Sequence, residues 1–143
     1  MIVYLDASAL VKRYVVEDGS EDVKQLLDDA DLVGTGLISR AEVPAALKKA
    51  VRMKALTLEE AEAAVKVFRS QWGDFVRVQV TESLISKADT AAWEYDLRGY
   101  DAVHLASALV WQEAVGESVT LATFDRQLRE ASKRAGLNVH PSD

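Results

Sequence analysis

At 143 residues with 49% hydrophobic and 28% charged side chains, the chain fits one ordinary domain burying roughly two thirds of the surface its unfolded form exposes, and disordered or collagen-like classes are excluded. It contains no cysteine, which removes disulfides and thiolate metal sites and suits a reducing compartment. Seventeen Lys and Arg against 23 Asp and Glu give a net charge of −6, the wrong sign for binding nucleic acid through the overall field, so any such contact must be local.

The chain opens on a β-branched apolar run, Ile2–Leu5, followed by helical patterns over Ala9–Val16 and Ser20–Asp29. A second run at Leu32–Thr35 leads into a helix over Arg40–Lys54. Thr57-x-x-Glu60 is a capping-box signature that starts a helix over Leu58–Trp72, on which Leu58, Ala61, Val65, Phe68 and Trp72 recur at three- and four-residue steps. With Val43, Leu47 and Val51 on the preceding helix, an αα-hairpin is expected. A strand at Phe75–Val80 and a helix over Glu82–Leu97 follow, then the largely apolar helix Ala102–Val115, a strand at Val119–Ala122, a helix over Arg126–Ala135 and a last strand around Val139. Strands separated by helices need crossover connections, so they are expected to run parallel with their C-terminal ends, and any ligand, on one edge. No linker, repeat or low-complexity segment divides the chain, so residues 1–143 read as a single domain. Met1–Asp6 lacks a signal peptide's basic and apolar regions, and no later apolar run reaches spanning length, so a cytoplasmic protein without a membrane partner is expected.

Four acids fall where chemistry on that edge would need them. Asp6 ends the first strand, and Asp125 closely follows the fourth in Val119-Thr-Leu-Ala-Thr-Phe-Asp125. Glu42 begins the helix after the second strand, and Asp101 stands before the apolar helix. Each also has a structural reading: Asp6, Asp101 and Asp125 precede helices, where Asp is a favoured N-cap, and Ser39-Arg40-Ala41-Glu42 matches a capping box. Pro44 weakens that box, because it would lie past the first turn and crowd the carbonyl of Arg40. Gathered together, the acids would repel one another at up to ~4 kcal/mol per pair at about 4 Å in an effective dielectric of about 20. A cation removes that penalty, and oxygen-only ligands with water favour Mg²⁺ or Mn²⁺. Such a site polarises a phosphoryl oxygen and stabilises the leaving oxygen, the chemistry of phosphodiester hydrolysis. Two His and no Cys leave little material for a covalent route.

The constellation resembles a PIN domain and, within that family, the VapC-type toxin nucleases of toxin–antitoxin pairs. Ile2-Val3-Tyr4-Leu5-Asp6-Ala7-Ser8 is similar to the family's opening strand, first metal-binding Asp and the hydroxyl residue two positions later. Glu42 in Ser39-Arg40-Ala41-Glu42-Val43 resembles the helix-borne Glu, Leu97-Arg98-Gly99-Tyr100-Asp101-Ala102 the third acidic motif, and Thr123-Phe124-Asp125 the last. The resemblance covers essentially the whole chain. It implies a three-layer α/β/α fold with a central, mostly parallel sheet of about five strands. It further implies Mg²⁺ dependence with Mn²⁺ as a substitute, endonucleolytic cleavage of tRNA, rRNA or mRNA leaving a 5′-phosphate and a 3′-hydroxyl, a homodimer, and a cognate antitoxin.

Around these acids, Ser8 and Thr123 are read as supporting hydroxyls, with helix capping and strand-end packing as their alternatives. Arg40, Arg98 and Arg126 are the candidates for RNA phosphate contacts, against the alternative of a solvated charged face. His104, three residues after Asp101 among apolar neighbours, is expected to be a hydrogen-bonded buried histidine. Trp72, Trp93 and Trp111 read as core or dimer interface. A signalling module or a non-catalytic acidic α/β binding domain is the competing class. A receiver-like module would need an Asp at the end of the third strand and a Lys after the last, whereas Val78-Gln79-Val80-Thr81 and Pro141-Ser142-Asp143 stand there. A DNA-directed nuclease on the same fold remains a further alternative.

Overall fold

The computed structural model describes residues 1–142. Among them five strands form one sheet, β1 (Ile2–Leu5), β2 (Leu32–Gly36), β3 (Val76–Val78), β4 (Val119–Ala122) and β5 (Asn138–His140), in the spatial order β3-β2-β1-β4-β5. Every pairing is parallel. The helices are α1 (Ala7–Val11), α2 (Ser20–Asp28), α3 (Ser39–Arg52), α4 (Leu58–Gln71), α5 (Glu82–Tyr95), α6 (Gly99–Val115) and α7 (Arg126–Arg134).

Alternation along β1 builds the two sides of the core, since successive side chains of a strand point to opposite faces. Ile2 and Tyr4 pack with Leu84, Leu105 and Leu121 beneath α5, α6 and α7. Val3 and Leu5 pack with Leu10, Val43, Leu47 and Phe68 beneath the helices that precede β3. The result is the expected α/β/α sandwich. All four β1 residues are buried, as expected of a central parallel strand covered on both faces.

Chain order sets where a ligand can sit. From β1 the chain steps outward to β2 and β3, then returns through α5 and α6 to β4 on the other flank of β1. The order therefore reverses between β1 and β4, and a crevice opens beyond the C-terminal ends of that pair. Asp6 and Thr123 occupy the first positions past those two strands.

Several boundaries depart from expectation for local reasons. The first helix ends at Val11 instead of continuing to Val16, because Lys12 turns its ammonium onto the Asp18 carbonyl at 2.6 Å and closes a loop. The third strand is confined to Val76–Val78, where it pairs with β2 alone. Ser39 caps nothing: Ile38 is the N-cap of α3, and Ser39 lies buried against Thr35. The Ser39–Glu42 box, the structural alternative that Pro44 weakened, is thus absent, whereas the Thr57–Glu60 box forms in both directions at 2.9 and 3.1 Å. Pro44 lies inside α3 and deprives the Arg40 carbonyl of its helical donor. Trp111 is core, but Trp93 is 91% exposed. No helix among the described residues is long and apolar enough to cross a membrane.

Gly34 in β2 exists for packing, since a Cβ there would stand 2.7 Å from the Trp111 ring and 3.1 Å from the Val76 carbonyl. Gly34→Ala should lower stability by about 1–3 kcal/mol through overpacking. Urea unfolding measures it, and a neutral result would show that Trp111 can move aside.

Candidate active site

Asp6 is 4% exposed and collects three neutral donors. Its Oδ1 accepts from Ser8 Oγ at 2.7 Å and from the Ala9 amide at 2.9 Å, and its Oδ2 accepts from Thr123 Oγ1 at 2.5 Å. The capping reading of Asp6 holds through Oδ1, and Oδ2 is bound by Thr123 from beyond β4. Each hydroxyl is used twice: Ser8 Oγ accepts the Phe124 amide at 3.1 Å, and Thr123 Oγ1 accepts the Asp125 amide at 3.0 Å. These bonds tie the end of β1 to the end of β4. Burial pushes the Asp6 carboxyl above its ordinary range, against the opposing pull of the His104 field and the three hydrogen bonds.

Asp101 and Asp125 come together through Arg98. Asp125 caps α7 with Oδ1, accepting from the Leu128 amide at 2.9 Å, and leaves Oδ2 to meet Arg98 Nη2 at 2.6 Å. The same guanidinium reaches Asp101 Oδ2 from Nε at 3.1 Å and from Nη2 at 3.0 Å. Asp101 is not a cap: Arg98 is the N-cap of α6, and Asp101 sits inside the first turn, where a negative charge suits the helix dipole. The two carboxylates hold the Arg98 guanidinium in its charged form even more firmly than usual. The Arg98 side chain is nonetheless 72% exposed, so little packing confines it.

Glu42, on the first turns of α3, places Oε1 2.6 Å from His104 Nε2. His104 on α6 is 2% exposed, and its Nδ1 lies 2.7 Å from the Tyr4 hydroxyl. Burial pushes the Tyr4 phenol far up, so it keeps its proton. A second chain of hydroxyls anchors α3 to the sheet. Thr35 Oγ1 donates to the Leu5 carbonyl at 2.7 Å, which leaves Ser39 as the donor in its 2.7 Å bond to Thr35.

The edge thus gathers all four acids, with Asp6 linked to Asp125 through Thr123 and Asp101 linked to Asp125 through Arg98, while Glu42 turns toward His104. As the side chains stand, no three His, Asp or Glu groups among the described residues are placed to hold one ion. The donor set itself fits a hard divalent cation: oxygen ligands only, a buried carboxylate met by neutral donors, and two further carboxylates already sharing one positive group. Of the other arginines, Arg40 lies with its guanidinium carbon 6.0 Å from the Phe68 ring centroid, and Arg126 is exposed on the first turn of α7. Sequence reasoning placed His104 as buried and hydrogen-bonded but missed that its partners are Glu42 and Tyr4. The available signal was Tyr4 itself, the one polar side chain inside the opening apolar strand.

Comparison with known proteins agrees with this fold. The PIN-domain family model matches residues 3–134. The chain belongs to the PIN-domain family. Ribonuclease VapC45 of Mycobacterium tuberculosis (strain CDC 1551 / Oshkosh) is 37% identical over 142 residues, covering 99% of this chain and 96% of the relative. A toxin–antitoxin complex from Klebsiella pneumoniae has a similar fold, with a TM-score of 0.64 and 18% identity over 86% of each chain. VapBC2 from Rickettsia felis, solved bound to a DNA fragment from its promoter, gives a TM-score of 0.65 and 15% identity over 98% of each chain.

Because burial raises the folded-state pKa of Asp6 above its unfolded value, ionising it opposes folding. The stability that wild type holds below the ordinary Asp range of about 4 is lost as pH rises through the folded-state value. In chelator, Asp6→Asn should therefore gain stability relative to wild type as the pH is raised toward neutrality. Urea unfolding of both proteins at several pH values measures this, and curves that stay parallel would remove Asp6 as a desolvated anion.

Proposed function

We propose that this chain is a metal-dependent endoribonuclease acting as the toxin of a toxin–antitoxin pair, cutting RNA phosphodiester bonds with Mg²⁺, for which Mn²⁺ can substitute. The observation that carries this reading is the buried Asp6 carboxylate at the reversal between β1 and β4, held by neutral donors beside two acids that already share a cation. Family membership and a near-full-length relative named as a ribonuclease support RNA as the substrate.

Asp6, Glu42, Asp101 and Asp125 would hold the ion. When bound, it supplies polarisation of a phosphoryl oxygen and shields the negative charge of the leaving oxygen. Ser8 and Thr123 commit their hydroxyl protons to Asp6 and so fix the direction its lone pairs face. Arg98, exposed and tethered only through its charge, is free to turn from the acids to a phosphate oxygen, and Arg126 stands one residue after Asp125 for the same work. Arg40 is the third phosphate candidate. The resemblance to this family implies that hydrolysis leaves a 5′-phosphate and a 3′-hydroxyl.

Two surfaces suit the partners. A groove of about 650 Å³ runs from Glu42 and Arg98 over apolar Val11, Ala46, Leu56 and Phe124, which fits an antitoxin segment with apolar residues along its length and a basic group at the acids. Tyr100 (69% exposed) and Ile85 (41%) line an apolar groove between α5 and α6, and Trp93 (91%) stands exposed on α5; a second copy of the chain is the proposed occupant of this side. The competing signalling class is disfavoured because β3 runs Val76-Arg77-Val78 with no phosphoacceptor acid at its end.

The deciding experiment is incubation of the purified chain with tRNA and ribosomal RNA fragments, in Mg²⁺, in Mn²⁺ and in chelator. Discrete metal-dependent cuts are expected. Asp6→Asn and Asp101→Asn should each reduce them by at least about 100-fold, because outer-sphere partners of a metal alone cost about 10–100-fold. No cutting by antitoxin-free protein with either metal would favour the non-catalytic binding domain. In sedimentation, Trp93→Ala should shift a dimer toward monomer, and a wild type that sediments as a monomer would withdraw the second copy.

A further inference from the structure

Glu42 is the least constrained of the four acids by its own backbone. It neither caps a helix nor meets a hydroxyl, and 27% of its side chain is exposed. Its one side-chain hydrogen bond among the described residues is accepted by Oε1 from His104 Nε2. We infer that His104, fixed in turn by the buried Tyr4 hydroxyl, is a positioning residue that holds the Glu42 carboxylate at the edge that also carries Asp6, Asp101 and Asp125. The inference rests on the reading of Glu42 as a metal ligand.

Hydrogen-bond chemistry fixes the polarity of this relay. An ionised carboxylate only accepts, so Nε2 must carry the proton in the bond to Oε1. On a ring whose only proton is at Nε2, Nδ1 accepts from the Tyr4 hydroxyl, which burial keeps protonated. The relay therefore reads Tyr4 O–H to Nδ1 and Nε2–H to Glu42 Oε1, with Oε2 left for an ion. A ligating carboxylate whose other oxygen is held by a fixed donor is the usual arrangement around catalytic metals.

The relay is built into the fold from both ends. Tyr4 is a central-strand residue with no exposure, so its ring cannot swing. Its hydroxyl sits against Gly36, where an added Cβ would stand 2.6 Å from the phenol oxygen and 3.6 Å from both His104 Nδ1 and Ser107 Oγ. The Tyr4 and His104 rings meet edge to face at 5.8 Å. His104 lies one turn after Asp101 on the same helix, so the element that carries one acid also sets the direction of another, from the opposite layer of the sandwich.

The test is Mn²⁺ binding by calorimetry to the full chain, for wild type, His104→Phe, His104→Gln and Tyr4→Phe, with circular dichroism to verify folding. His104→Phe should weaken binding roughly tenfold or more. His104→Gln should recover most of it, because its side-chain amide presents an N–H close to the position of Nε2. Tyr4→Phe should weaken binding by a smaller factor. In chelator, the nitrogen-15 NMR signature of His104 should show a protonated Nε2 that shifts on Tyr4→Phe and on Glu42→Gln. Folded His104→Phe that binds Mn²⁺ as wild type does would overturn the inference while leaving the metal reading standing. Wild type that binds no Mn²⁺ would overturn both. Should His104→Phe fail to fold, Tyr4→Phe decides: unchanged affinity with an unshifted His104 signal would overturn the relay.

Discussion

Everything at the functional edge depends on one buried anion. Asp6 stands where the central strand ends, and its three hydrogen bonds come from two different segments, Ser8 and Ala9 on its own helix and Thr123 beyond β4. Those bonds do structural work, since they start α1 and fasten the two strands that border the crevice. They also orient a desolvated carboxylate without cancelling its charge. A cation is the natural complement of such a group, because neutral donors stabilise an anion locally but leave its long-range field in place.

The remaining acids are positioned by neutral groups buried just behind them. Ser39 and Thr35 moor the start of α3 to the Leu5 carbonyl, one residue from Asp6. Tyr4 and His104 reach from the central strand and α6 to Glu42. Thr123 and the Asp125 amide set the entry to α7. Thr35, Ser39, His104 and Thr123 are tolerated in this core because each has a partner, and a satisfied network specifies one arrangement better than an apolar filling would.

Much of this architecture is legible in the sequence. The apolar runs at Ile2–Leu5 and Val119–Ala122 are four-residue strands flanked by helical periodicity, and parallel pairing follows from the crossovers between them. Asp6 and Asp125 are readable as strand-end acids because they directly follow those runs. Both are caps, and capping does not exclude a second role, since a carboxylate has two oxygens and uses each differently. Glu42 was harder: local pattern suggested Ser39 as its partner, and the true partner, His104, lies 62 residues away and comes close only through the packing of α6 over β2. Trp93 was legible only as core or interface for a related reason. Helical spacing shows which residues share a face but not whether another element of the chain covers it, and the exposure of Trp93 removes the core alternative.

Arg98 shows how a chain can carry repelling acids on one edge and still fold. Asp101 and Asp125 are drawn to one guanidinium, Asp6 to hydroxyls and an amide, and Glu42 to an imidazole, so each acid has a partner of its own. Folding then needs no bound ion, unlike small domains whose metal ligands have no other partner. The arrangement separates two requirements that usually conflict. The partner of Asp6 is buried and permanent, while the partner of Asp101 and Asp125 is a flexible, largely exposed side chain. An exposed ion pair of this kind contributes little to stability and exchanges readily. The edge can thus trade one cation for another without disturbing the strands beneath it.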